Sequence, residues 1–169
     1  MLSPRFGLKL CGMLATLACA SASGPAHPPM GEVSGETHNI GAPGLRYVDV
    51  QTGEGMPLTR GQCAYVHYDL YRTNGAFVES SRDSLKGKPA EPLTFPMGAG
   101  KVIRGWDLGL EGMKMGGIRR LYVPEDLAYG AAGSPPLIPS SVGLIFDVQL
   151  LYTTPSRNSL CVPWRALQP

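Results

Sequence analysis

The chain predicts an α+β fold, an antiparallel β-sheet wrapped around one short α-helix. Three observations carry that expectation. Twenty-two Gly and 16 Pro among 169 residues point to a turn-rich, β-containing chain rather than a helical bundle. Several segments alternate apolar and polar residues with the period of a strand. Only one segment has helical spacing, and several strands with a single amphipathic helix bury both apolar faces by wrapping the sheet over the helix.

The elements follow in order. From Cys63 to Tyr71, residues Ala64, Val66, Tyr68 and Leu70 share one face, and Tyr65, His67, Asp69 and Tyr71 share the other. Asn74-Gly75 is a turn signal, after which Phe77-Val78 resumes an extended run. The helix is expected over Val102 to Met113, where Ile103, Trp106, Leu110 and Met113 form one apolar stripe. Ile118 to Val123 and Leu144 to Tyr152 read as two further strands, the second aligning Leu144, Phe146, Val148 and Leu150.

The ends of the chain read differently. Residues 1–23 carry a basic start, Arg5 and Lys9, a short apolar stretch from Leu10 to Ala20, and small-residue sites at Ala18-Cys19-Ala20 and Ala20-Ser21-Ala22. That is the pattern of a cleavable export leader. Residues 24–43 are rich in Pro, Gly and polar side chains and are expected to form a flexible linker. The compact domain is expected over 44–152 and an irregular tail over 153–169, in which Leu160, Val162, Trp164 and Leu167 are available to dock. Cleavage would remove Cys11 and Cys19. Cys63 and Cys161 are then the one pair left for a disulfide in an oxidising compartment.

Several chemistries are excluded. The net charge is +2 and the 15 basic residues are scattered, so no nucleic-acid stripe exists. No apolar run reaches the length of a membrane span, so none is expected after leader removal. His27 and His38 lie in the linker, and His67 sits on the polar side of its strand, so no metal-ligand cluster is expected. Gly98-Ala99-Gly100-Lys101 fails as a phosphate loop, because Val102 replaces the required hydroxyl and Phe95 the first Gly. No Ser sits in a nucleophile elbow.

What remains is an aromatic and aliphatic set drawn from different elements: Tyr68, Trp106, Tyr129 and Phe146, with Val102, Ile103, Leu137 and Ile138. These residues are expected to converge where the inner face of the sheet meets the helix. At Val66-His67-Tyr68, Ser80-Ser81-Arg82-Asp83, Val102 to Trp106, Gly112-Met113-x-x-Gly116, Leu127-Ala128-Tyr129-Gly130, Ile138-Pro139 and Phe146-Asp147-Val148-Gln149-Leu150 the chain resembles the FKBP-type peptidyl-prolyl cis-trans isomerases, or immunophilins. The resemblance covers Gly44 to Leu151. It implies a proline pocket floored by Trp106 and walled by Tyr68, Leu93, Val102, Ile103, Leu137, Ile138 and Phe146. The Tyr129 hydroxyl and the Ile103 backbone N–H are its implied donors to substrate carbonyls.

The chain departs from the family pattern at three places. Val78-Glu79 stands where the family has Phe-Asp before the Ser pair, so the resemblance puts Phe77, Val78 and Glu79 at a wall that has lost an aromatic in strict register. Ser134 stands where some members carry His, and Ser84 to Glu91 is longer than in minimal members. The implied activity is rotation about X-Pro bonds, which needs no metal or cofactor. A low-activity chaperone or binding module using the same pocket is the alternative. Proline-containing polypeptide clients and macrolide immunosuppressants are the implied partners of a monomeric protein. The leader suits the secretory pathway or secretion. The stretch Gly112 to Arg120 also resembles plastid-lumen members, which makes a thylakoid lumen the alternative location.

Overall fold

The computed structural model of the protein describes residues 30–83, 90–158 and 160–168. The leader, the start of the linker and most of the longer segment after Arg82 lie outside them. The strands in chain order are β1 (Thr37–Asn39), β2 (Arg46–Gln51), β3 (Glu54–Pro57), β4 (Gln62–Arg72), β5 (Phe77–Ser80), β6 (Leu93–Pro96), β7 (Lys114–Met115), β8 (Ile118–Val123) and β9 (Leu144–Pro155), with one α-helix, α1 (Arg104–Gly109). Every pairing is antiparallel. Seven strands form one sheet in the order β1-β2-β8-β9-β4-β5, with β6 on β4, while β3 and β7 pair separately.

The alternation of β4 explains why it is central. Ala64, Val66 and Leu70 turn into a core built with Trp106 of α1, Leu110 just after it, and Leu121, Val123, Phe146, Val148 and Leu150 of β8 and β9. Each Val, Leu or Phe of this set contributes about 1.5–3 kcal/mol when fully buried. One long edge of β4 is shared by two strands: β6 pairs Cys63 to Val66, and β5 pairs Asp69 to Tyr71. Between them the sheet is open toward α1.

The helix is shorter than its apolar stripe suggests. It runs six residues, with Ile103 at the N-cap position and Leu110 at the C-cap. Gly105 and Gly109 weaken helix propensity by about 1 kcal/mol each. The Arg119 guanidinium also donates to the Gly109 carbonyl at 2.7 Å, satisfying an acceptor that a further turn would otherwise use. Leu110 and Met113 remain buried beyond the helix because the Met113 N–H donates to the Leu110 carbonyl at 3.1 Å.

Both ends are more ordered than composition implies. Within the expected linker, Thr37–Asn39 pairs with β2, His38 stacks on Tyr47 with ring centroids 4.8 Å apart, and Ile40 and Ala42 pack on the core. This strand shows no alternation of its own; the free edge of β2 supplies its hydrogen bonds. At the other end β9 continues to Pro155, three residues past its expected limit, and Trp164–Leu167 forms a 3-10 turn. Between these points Cys161 is disulfide-bonded to Cys63, with Cα atoms 5.6 Å apart. Among the described residues, no helix is long and apolar enough to cross a membrane.

Candidate functional site

The inner face of the sheet and the helix enclose a cavity of about 590 Å³ beside Trp106. The indole is 3% exposed and is boxed by three aromatic rings, with centroids at 5.4 Å (Tyr68), 5.6 Å (Phe95) and 5.2 Å (Phe146). Tyr68 and Phe146 meet it edge-on, the arrangement favoured by ring quadrupoles. Trp106 reaches the floor because it occupies the first turn of α1, directly after Ile103. The Ile103 N–H lies ahead of the helical ladder, among the amides that a helix leaves without an internal partner.

One side of the cavity is polar. The Tyr68 hydroxyl donates to Glu79 Oε1 at 2.8 Å. Burial pushes the Tyr68 phenol far above its ordinary range, and the Glu79 hydrogen bond and charge push it the same way. Tyr68 is therefore a protonated donor at every physiological pH. Tyr129 is 41% exposed at the rim, and its phenol is raised by burial first and by Glu79 second. The floor itself is aromatic. Among the described residues the Trp106 indole N–H has no hydrogen-bond partner.

Of the residues singled out from the sequence, the structure brings Tyr68, Glu79, Leu93, Val102, Ile103, Trp106, Tyr129 and Phe146 together around the cavity. Four others do not line it. Phe77 lies on the opposite side of the sheet, with its ring 5.7 Å from Tyr71. The reason is a bulge: Leu70 pairs with Glu79 and Tyr71 with Phe77, so Val78 is an extra residue in β5. Val78 turns inward against the core and Phe77 outward. Ile138 is 4% exposed inside the core, whereas Leu137 is 47% exposed. Paired bonds between Ser134 and Ile138, at 2.8 and 2.9 Å, close that loop and turn the two neighbours in opposite directions. The Leu137 carbonyl accepts from Arg72 Nη2 at 2.8 Å.

Sequence reasoning missed other lining residues: Leu70, Thr94, Phe95, Pro96, Lys101, Leu160, Cys161 and Pro163. Leu70 was legible, since it shares the inner face of β4 with Tyr68. Phe95 needed the pairing of β6 with β4, which nothing local announces. His67 is half-buried rather than solvated, its Nδ1 lying 2.9 Å from Ser81 Oγ, and desolvation followed by the Arg82 charge lowers its pKa.

The FKBP-type peptidyl-prolyl cis-trans isomerase family matches residues 55–151. The chain belongs to this family. The FKBP-type domain is 43% identical over 108 residues to the FK506-binding protein of Neisseria meningitidis serogroup B, covering 64% of this chain and 94% of that one. It is 45% identical over 108 residues to FK506-binding protein 4 of Dictyostelium discoideum, covering 64% of this chain but 28% of the other. The chain thus spans little more than a quarter of that longer relative. The crystal structure of AtFKBP13 superposes with a TM-score of 0.62 at 33% identity, covering 70% of this chain and 99% of that chain. The antiparallel sheet with one short helix is the architecture they share. In this FKBP, β1, β2 and the strapped tail lie outside the matched span.

Proposed function

We propose that the protein is a peptidyl-prolyl cis-trans isomerase that assists folding by accelerating rotation about X-Pro bonds. The observation that carries this reading is the boxed indole at the floor of a cavity whose polar groups stand on one side. Rotation about a peptide bond meets a barrier of about 18–20 kcal/mol, because resonance makes the C–N bond partly double. No bond need break; the protein must bind the twisted amide better than either planar isomer.

The twisted amide has lost its charge-separated resonance form, so a dry aromatic surface favours it relative to water. The Trp106 face and the rings of Tyr68, Phe95 and Phe146 receive the prolyl ring. The Ile103 N–H and the Tyr129 hydroxyl donate to the flanking carbonyls, and Glu79 holds the Tyr68 ring in place. A barrier lowered by about 7 kcal/mol corresponds to roughly five orders of magnitude in rate.

The clients in this reading are proline-containing polypeptides, and macrolides of the FK506 type occupy the same cavity. The protein acts as a monomer in a lumenal or extracellular space, with secretion or the thylakoid lumen as the compartments the leader pattern supports. The Cys63–Cys161 bond fits an oxidising setting. One observation favours the low-turnover chaperone instead: no aromatic of β5 lines the cavity, since Phe77 faces outward. Magnetisation-exchange NMR on a short Leu-Pro peptide separates the two. An isomerase speeds cis-trans exchange at catalytic ratios; binding without exchange supports the chaperone, and neither result is compatible with an unoccupied pocket.

A further inference from the structure

The cavity does not end at the family pocket. It passes the edge of β6, where Leu93 and Pro96 line it, and continues onto the tail through Leu160, Cys161 and Pro163. These tail residues lie beyond the span shared with the family. They are also held at several points. Cys161 is bonded to Cys63, the Tyr65 hydroxyl donates to the Val162 carbonyl at 2.7 Å, and Trp164 packs on Tyr65 with ring centroids 5.8 Å apart. Arg165 pairs with Glu91 just before β6. Reciprocal bonds between Arg157 and Leu160, at 3.1 and 2.9 Å, close the turn that presents Leu160.

A segment held at so many points leaves Leu160 73% exposed and Val162 49% exposed among the described residues, a fastened apolar surface. Tyr65 and Cys63 are fully buried beneath it, so fastening the strap does not require those side chains to be exposed. We propose that Leu160, Cys161 and Pro163 form a second, apolar subsite of the proline cavity, which takes apolar side chains flanking the proline of an extended polypeptide. The occupant is argued from continuity: the same cavity is lined by Trp106 at one end and Leu160 at the other. An extended peptide advances about 3.3–3.6 Å per residue, so residues flanking the proline run along the cavity away from Trp106. Because the strap is fixed beforehand, binding orders the peptide alone and loses less entropy than it would on a mobile tail. This specificity-determining role rests on the proline-pocket reading.

The test uses the oxidised full chain and two fluorescent peptides, a blocked tetrapeptide with one Leu-Pro bond and a ten-residue peptide with that bond at its centre and Leu or Val on both sides. Anisotropy should show the longer peptide bound about tenfold more tightly, the gain expected from burying some tens of Å² of apolar surface. Leu160→Asp, a change at an exposed side chain, should shrink the long-to-short preference to about twofold. Cys161→Ser, which keeps Leu160 but frees the strap, should shrink it likewise. Equal binding of the two peptides by the unaltered protein, or an undiminished preference in both variants, overturns the subsite. Tighter binding of both peptides by Cys161→Ser also overturns it, since the tail would then be a cover. Tight long-peptide binding without accelerated exchange would defeat the isomerase reading and leave the subsite standing.

Discussion

Trp106 both fills the core and faces the cavity, and Trp106→Leu separates the two roles. Leucine keeps an apolar floor but removes the flat indole that three rings orient. The lost volume should lower stability by about 2–3 kcal/mol, leaving a folded protein whose kcat/KM on a short peptide falls about tenfold or more. Unchanged turnover in a folded variant would remove Trp106 from the site. Glu79 permits a sharper measurement. It raises the Tyr68 phenol through a hydrogen bond and through its charge, and it raises Tyr129 through charge alone. In Glu79→Gln the charge is gone, so both phenols should ionise at lower pH than in the unaltered protein. Burial, the largest cause for each, should still hold them above the ordinary value of 10.0. Ultraviolet difference titration reads this directly, and unmoved phenols would contradict the Glu79–Tyr68 contact.

The helix α1 matters less as a helix than as a platform pressed onto β8. A Cβ at Gly109 would lie 2.4 Å from Leu121 Cδ1, and one at Gly105 would lie 2.4 Å from Val123 Cγ1. Neither distance is tolerable, so both glycines exist for close approach. Gly109→Ala raises intrinsic helix propensity by about 1 kcal/mol. Even so, it should destabilise the protein by about 1–3 kcal/mol in denaturant titration, because the helix must lift off the sheet. A gain in stability would show that packing at this contact is loose. The bulge in β5 inserts Val78 between Phe77, paired with Tyr71, and Glu79, which pairs with Leu70 and accepts from the Tyr68 hydroxyl.

The described part of the molecule is an open sheet tied by long-range ion pairs and a disulfide. Two buried arginines tie distant segments together: Arg119 reaches Asp49 with both arms of its guanidinium at 2.7 and 3.0 Å, and Arg120 reaches Asp147 at 2.5 Å twice. The tail is fastened to β4 by a covalent bond spanning 98 residues of chain. In the chain-entropy view, closing a loop of that size stabilises by up to about 4.7 kcal/mol. Cys63→Ser with Cys161→Ser should therefore lower the unfolding free energy from denaturant titration by a few kcal/mol, and adding reductant to the unaltered protein should reproduce that loss. Coincident curves with and without reductant would mean the bond contributes nothing.

The α+β class, the course of β4 and β8, and the aromatic set around Trp106 were legible in the chain, because each rests on local periodicity. Alternation along Ala64, Val66, Tyr68 and Leu70 puts these four side chains on one face before any partner strand is known. Residues whose placement depends on a partner were not legible. Phe77 faces outward because Tyr71 and Leu70 on the neighbouring strand set its register across a bulge. Thr37–Asn39 is a strand because β2 offers it a free edge, and Phe95 lines the cavity because β6 pairs with β4. The tail is the clearest case. Its composition reads as irregular, and it is irregular for most of its length; yet Cys63, 98 residues earlier, holds it against the cavity. Side-chain facing within one segment is a property of that segment's own backbone, whereas register and docking are properties of pairs, and only the folded chain brings the pairs together.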